Sequence, residues 1–247
     1  MLKMITGLMA CGLVAGCFLI QPTDSAAEDK KVLATTPAAK SESGWWPKRH
    51  AEKLAEVKAK KGNVDLLFIG DSITHAWENK GKKLFDEYYG KRKPFNIGYS
   101  GDRTENVLYR LAHGEVDGIS PKLAVIMIGT NNTGHREDPP AETAAGIKAI
   151  LDDLRERLPE TKLLLLGVFP RSNKPEDKKR KINDDINKII SKYDDGKMIH
   201  YLDINHIFLE EDGTLPKSIM PDFLHPNVEG YKKWADAMEP TISKLMK

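Results

Sequence analysis

Short apolar runs recur along the chain with helical patterns between them, and this alternation constrains the fold more than any other feature. The runs are Val64 to Ile69, Phe95-Asn96-Ile97, Leu123 to Ile128, Leu163 to Val168 and Met198 to Leu202. Several are almost unbroken in apolar character, which suits strands covered on both faces rather than on one. Between them, Arg103 to Leu111 carries Val107, Leu108 and Leu111 at helical spacing. Glu142 to Leu158 does the same with Ile147, Ile150, Leu151, Leu154 and Leu158, and Lys178 to Tyr193 with Ile182, Ile186, Ile189 and Ile190. A last helix starts at Asn227 or Val228, carries Tyr231, Trp234, Ala235 and Met238, and is expected to kink or stop at Pro240. Strand and helix in alternation predict an α/β fold: a parallel sheet with helices on both faces, joined by right-handed crossovers.

In an open sheet of this kind, ligands sit beyond the carboxyl ends of the strands. The chemistry is therefore expected in the loops after each apolar run. These are Gly70-Asp71-Ser72, Gly98-Tyr99-Ser100-Gly101-Asp102, Gly129-Thr130-Asn131-Asn132, Phe169-Pro170-Arg171 and the late loop Pro221 to Pro226. Ser72 is a candidate nucleophile if a base takes its proton, and otherwise a helix cap. Asp71 could cap the same turn. The Gly-x-Ser-x-Gly elbow is absent, because Thr74 stands where its second glycine would be.

Asp222 and His225 lie close enough in one turn for the carboxylate to accept from imidazole Nδ1, which would leave Nε2 free as a base. A surface aspartate and an unrelated histidine fit the same residues. Gly101 could offer a backbone N–H, and Asn131 a side-chain amide, to the oxyanion of an acyl-transfer intermediate. Each also fits a plain turn residue. The set is persuasive only as a set: nucleophile, base, orienter and oxyanion donors fall in loops at one end of one sheet.

These residues resemble the SGNH (GDSL-like) hydrolase superfamily from about Val64 to the C-terminus. The matching blocks are Gly70-Asp71-Ser72-Ile73, Asn96 to Thr104, Gly129-Thr130-Asn131-Asn132 and Asp222-Phe223-Leu224-His225-Pro226. The Gly-Thr-Asn-Asn form, Gly101-Asp102-Arg103-Thr104 and the stretch Asn106 to Leu111 resemble the catalytic subunits of intracellular platelet-activating factor acetylhydrolase in particular. The resemblance implies a flavodoxin-like three-layer α/β/α sandwich with a five-stranded parallel sheet. It implies Ser72 as nucleophile, His225 as base and Asp222 as its orienter. The oxyanion hole would comprise the N–H groups of Ser72 and Gly101 and the Asn131 amide. It implies no metal and no cofactor, and a small-molecule or carbohydrate ester as substrate. Asn132 stands where many members have aspartate. Acetylesterases, thioesterases and lysophospholipases share these motifs.

The chain has 247 residues with 38 basic and 36 acidic side chains, a near balance that gives no electrostatic footprint for nucleic acid. The basic run Lys178-Lys179-Arg180-Lys181 reads as a solvated helix face. Residues 1–27 have the layout of a secretory signal peptide: Lys3, an apolar stretch from Ile5 to about Ile20, then small residues. Val14-Ala15-Gly16-Cys17 resembles a bacterial lipobox, so simple export and a lipid anchor at Cys17 are both expected readings. The cysteines, Cys11 and Cys17, lie in this segment, which leaves the remainder without a disulfide. Residues 28–44, rich in Ala, Thr, Ser and Lys, read as a flexible linker, with order starting near Trp45-Trp46 and the hydrolase domain spanning 45–247. The adjacent tryptophans read as packing or a lid.

Two rival functions remain open at this level. One is a carbohydrate-binding protein on the same scaffold without catalysis. The other is a metal-dependent phosphohydrolase using Asp71, Asp203, Asp222 and His225, although dense ligand spacing is lacking.

Overall fold

The computed structural model describes Met1 and residues 32–247; the leader reading and Cys11 and Cys17 fall outside the described residues. The helices and strands run in the order α1 (Trp45–Lys60), β1 (Leu66–Gly70), α2 (Ser72–His75), α3 (Lys82–Tyr89), β2 (Pro94–Gly98), α4 (Thr104–Ala112), β3 (Leu123–Met127), α5 (Thr130–Arg136), α6 (Pro140–Arg157), β4 (Lys162–Leu166), α7 (Lys178–Ile190), β5 (Ile199–Leu202) and α8 (Val228–Leu245). The sheet has five strands in the order β2-β1-β3-β4-β5, every pair parallel. This is the flavodoxin-like doubly wound order, whose strand sequence reverses between β1 and β3.

Alternation along each strand builds the three layers. Leu67, Ile69, Ala124, Ile126, Leu163 and Leu165 point to a core shared with Val107, Ile147, Ile150 and Ile186 from α4, α6 and α7. Leu66, Phe68, Val125, Met127, Leu164 and Leu166 point to the opposite core, with Trp77, Phe85, Tyr89, Trp234 and Met238. Period-two side-chain alternation makes both faces of each strand apolar, and for that reason the runs are nearly continuous in sequence. The register aligns Gly70 with Gly98 on one side and with Met127 on the other, so the carboxyl ends of β1, β2 and β3 finish level.

Some expectations need correction. The stretch from Val32 onward is not a free linker: it lies along the domain. Ala34 is fully buried, with its carbonyl accepting from Thr104 Oγ1 at 2.8 Å. The Ala38 carbonyl accepts from Asn106 Nδ2 at 2.9 Å, while Ala38 N–H donates to the Glu105 carbonyl at 3.0 Å. Polar side chains hold this strap through its backbone, so it needs no apolar periodicity. Helix α8 runs through Pro240 to Leu245, because buried Ile242 and Leu245 keep its last turns on the core. Lys178 and Lys181 are exposed as read, but Arg180 is buried and donates to the carbonyls of Arg171, Ser172 and Gly213. Trp46 packs inside, whereas Trp45 keeps 41% of its surface exposed.

Candidate active site

Helix α2 starts directly at the end of β1. Asp71 is its N-cap, with Oδ1 accepting from Ile73 N–H at 2.9 Å, so Ser72 is freed from capping and opens the helix. The close approach of α2 to β2 requires Gly98: a Cβ there would lie 2.3 Å from His75 N. Asn96 holds the same junction, donating from Nδ2 to the Thr74 carbonyl at 2.9 Å and accepting from Gly98 N–H at 2.7 Å. From the other face, Tyr231 of α8 donates to the Ile73 carbonyl at 2.6 Å. Ser72 is thus fixed at the carboxyl edge of the sheet, beside the point where strand order reverses.

The late loop comes to meet it. Ser72 Oγ lies 2.9 Å from His225 Nε2, and His225 Nδ1 lies 2.6 Å from Asp222 Oδ2. Asp222 Oδ1 also accepts from the N–H groups of Leu224 and His225, at 3.1 and 2.8 Å, which closes the turn. Phe223 at its centre takes a left-handed φ of 57°, a strained choice for an aromatic residue. The loop is pinned from outside by Ser172 N–H donating to the Phe223 carbonyl at 2.9 Å. Burial works against ionisation of Asp222, but the hydrogen bonds from the His225 ring and backbone outweigh it and hold the carboxyl below its usual range. A carboxylate on Nδ1 sets the tautomer in which Nε2 accepts from the Ser72 hydroxyl.

Gly101 and Asn131 are joined through Asp102. Asn131 Nδ2 donates to the Asp102 carbonyl at 2.9 Å, and the amide keeps its second N–H uncommitted. Gly101 adopts φ 73°, which a glycine accepts at no steric cost. Neither its N–H nor that of Ser72 has a hydrogen-bond acceptor among the described residues. The Asp102 side chain is fully buried and fixed by Trp46 Nε1 at 2.7 Å and Arg110 Nε at 2.9 Å. Arg110, also fully buried, reaches Glu115, which in turn meets Tyr99 and His50. Asn132 ties the third loop to the second: its Oδ1 accepts from Thr104 N–H at 3.1 Å, and its Nδ2 donates to Asp138 at 3.1 Å.

Asp203, by contrast, stands with Tyr201 and Asn205. Among the described residues no group of three or more His, Cys, Asp and Glu side chains could hold a metal ion. Sequence reasoning passed over Trp46, Arg110 and Asn96 as supports of the site. Asn96 could have been found as the one polar side chain inside an apolar run within a quoted motif; a buried arginine inside Asn106 to Leu111 carries no such signal.

Burial pushes the Asp71 carboxyl up to about 7; the Ile73 N–H bond opposes this and the nearby Asp102 charge adds to it. Its Oδ2 is buried without a partner. A folded pKa above the unfolded 3.8 means the unfolded chain releases this proton first. Asp71 therefore contributes a loss of stability as pH rises from about 4 to about 7, on the order of a few kcal/mol, and no further change above that. Asp71→Asn mimics the protonated form and should flatten this part of the stability profile in urea titrations. An unchanged slope would show that Asp71 ionises normally in the folded state.

The GDSL-like lipase/acylhydrolase family matches residues 68–233, from β1 into α8. The fold and the four loop motifs thus define an acylhydrolase class, and the chain belongs to this GDSL-like family. It is 32% identical over 206 residues to platelet-activating factor acetylhydrolase IB subunit alpha1 of Bos taurus, covering 82% of this chain and 84% of that one. The alpha2 subunit of Rattus norvegicus is 33% identical over 203 residues, covering 81% and 85%. Two solved structures share the fold. A GDSL-like lipase from Bacteroides thetaiotaomicron has TM-score 0.61 and 24% identity over 80% of this chain and 97% of that one. An acetylxylan esterase from Geobacillus stearothermophilus has TM-score 0.58 and 19% identity over 75% and 96%.

Proposed function

We propose that the protein is a serine esterase that removes short acyl groups, acetyl above all, through an acyl-enzyme on Ser72. The observation that carries this reading is the continuous hydrogen-bonded chain Ser72 Oγ, His225 Nε2, His225 Nδ1, Asp222 Oδ2. His225 takes the hydroxyl proton as Ser72 Oγ attacks the ester carbonyl. The carbonyl oxygen becomes an oxyanion, received by the N–H groups of Ser72 and Gly101 and the free N–H of Asn131. The intermediate collapses, His225 gives its proton to the leaving alcohol, and the acyl group stays on Ser72. Water, deprotonated by His225, attacks the acyl-enzyme; the second intermediate releases the acid and the proton returns to Ser72. Asp222 stabilises the imidazolium in both halves without taking its proton.

The acetyl preference rests on the relatives, two of whose names specify acetyl removal. The leader read in residues 1–27 would put this activity outside the cytoplasm.

The test is a series of p-nitrophenyl esters. kcat/KM should be highest for acetate and fall from butyrate to octanoate. An octanoate rate above that of acetate would reject the short-acyl assignment and favour a lipase or lysophospholipase.

A further inference from the structure

One stripe of α7 is polar and yet buried: Arg180, Asn183 and Asn187. Their helical spacing puts all three on the same face. Each grips the backbone of the loop after β4. Asn187 accepts from Val168 N–H at 2.7 Å and donates to the Val168 carbonyl at 2.9 Å. Asn183 donates to the Phe169 carbonyl at 3.0 Å. Arg180 donates to the carbonyls of Arg171 and Ser172, at 2.9 and 2.7 Å. The loop from Val168 to Ser172 is therefore clamped to a helix along its length.

The clamped loop reaches both halves of the site. Ser172 N–H donates to the Phe223 carbonyl at 2.9 Å, in the turn that carries Asp222 and His225. Arg171 Nη1 donates to the Thr130 carbonyl at 2.5 Å and lies 3.2 Å from the Thr130 hydroxyl. That carbonyl belongs to the peptide unit leading into Asn131, so its direction sets the Asn131 backbone. The Asn131 side chain is tied in turn to the Asp102 carbonyl. Buried Asp71, next to Ser72, favours the charge on Arg171 against the cost of its burial.

Helix α5 leaves room for this guanidinium. Gly134 lies one turn beyond Thr130. A Cβ there would stand 2.4 Å from Arg171 Nη1, and the three atoms nearest to it all belong to the guanidinium. Glycine is a poor helix former, and here its bare Cα lets Arg171 lie along the helix to reach Thr130.

We infer that Arg171 is a positioning residue: it fixes Asn131 at the oxyanion, in register with the His225 loop that the same segment holds. The inference rests on the esterase reading and adds a residue whose effect passes through Asn131. A preorganised donor works only when aimed at the developing charge, and a misplacement of about 1 Å can lower the rate by about 10²-fold.

The experiment is steady-state kinetics of the full chain on p-nitrophenyl acetate, with kcat referred to folded protein and Ser72→Ala as the inactive reference. Arg171→Met should lower kcat by about 30-fold and change KM by less than about twofold, because a displaced oxyanion donor acts on the transition state. In an Asn131→Ala background the same substitution should lower kcat by less than about threefold, since the group it positions is already gone. Gly134→Ala keeps the charge and every catalytic side chain, and should lower kcat by about tenfold by displacing the guanidinium. Added to Arg171→Met, it should change kcat by less than about twofold, because no guanidinium is left to move. If Arg171→Met fails to fold, the cycle with Asn131→Ala is run on Gly134→Ala alone.

A loss that multiplies in full with Asn131→Ala would overturn the inference, and that is what a merely structural role predicts. So would a raised KM at unchanged kcat, which would put Arg171 on the bound ester instead. A Gly134→Ala protein within twofold of the parent would overturn it too. Each of these results leaves the esterase reading standing. No turnover by the parent protein would reject that reading and this inference with it.

Discussion

Replacing Ser72 with alanine should lower kcat for p-nitrophenyl acetate by at least about 10⁴-fold, the scale seen when a serine nucleophile is lost. The Ser72 hydroxyl has one side-chain partner, His225, and the residue is partly exposed. Its removal leaves no large cavity, so the thermal midpoint should hold to within a shift worth about 0.5 kcal/mol. The capping bond that starts α2 belongs to Asp71 and is untouched. Combining Ser72→Ala with His225→Ala should add little further loss, since the two groups act as one unit. Activity within tenfold of the parent protein would mean that the reacting group lies elsewhere.

Asn131→Ala should cost about 10²–10³ in kcat, the usual price of one oxyanion donor, with a much smaller change in KM. A donor that strengthens only as negative charge develops acts on the transition state more than on the bound ester. The substitution also deletes the bond to the Asp102 carbonyl, worth about 1 kcal/mol of stability. The two effects separate experimentally. A purely structural role would lower the melting temperature and raise KM as the second loop loosens, while kcat per folded molecule stayed near its original value.

Much of the fold was legible because burial on both faces writes itself into sequence. The strands β1, β3 and β4 stand out as apolar runs, and Ile147, Ile150, Leu151 and Leu154 reveal α6 by spacing alone. Once the sheet is parallel, the carboxyl-edge rule places Ser72, Gly101 and Asn131 in neighbouring loops. The turn that holds Asp222 and His225 was legible for a local reason, since a few residues suffice to bring carboxylate and imidazole together.

What escaped sequence reading is held by long-range polar contacts, which leave no period. The strap from Val32 to Gly44 looks like a linker, yet its carbonyls are gripped by Thr104 and Asn106, more than sixty residues away. Arg180 sits in a run of lysines and has no composition signal to separate it from them, although it is the one whose donors brace the Arg171 and Ser172 carbonyls. Arg110 occupies a helical face that reads as amphipathic, and its burial depends on Asp102 and Glu115 arriving from either side. Helix α1 was missed because most of its surface is charged: only Trp46, Lys53 and Val57 are buried. Pro240 does not end the helix, since apolar packing of the last turns of α8 outweighs a local helix breaker.

The most direct test of the account is covalent labelling with a fluorophosphonate, read by intact mass and peptide mapping. The account predicts stoichiometric modification of Ser72, lost in Ser72→Ala and slowed at least about 10³-fold in His225→Ala, where no base is left to activate the hydroxyl. An unmodified protein that still hydrolyses p-nitrophenyl acetate, or an adduct on any residue other than Ser72, would contradict it.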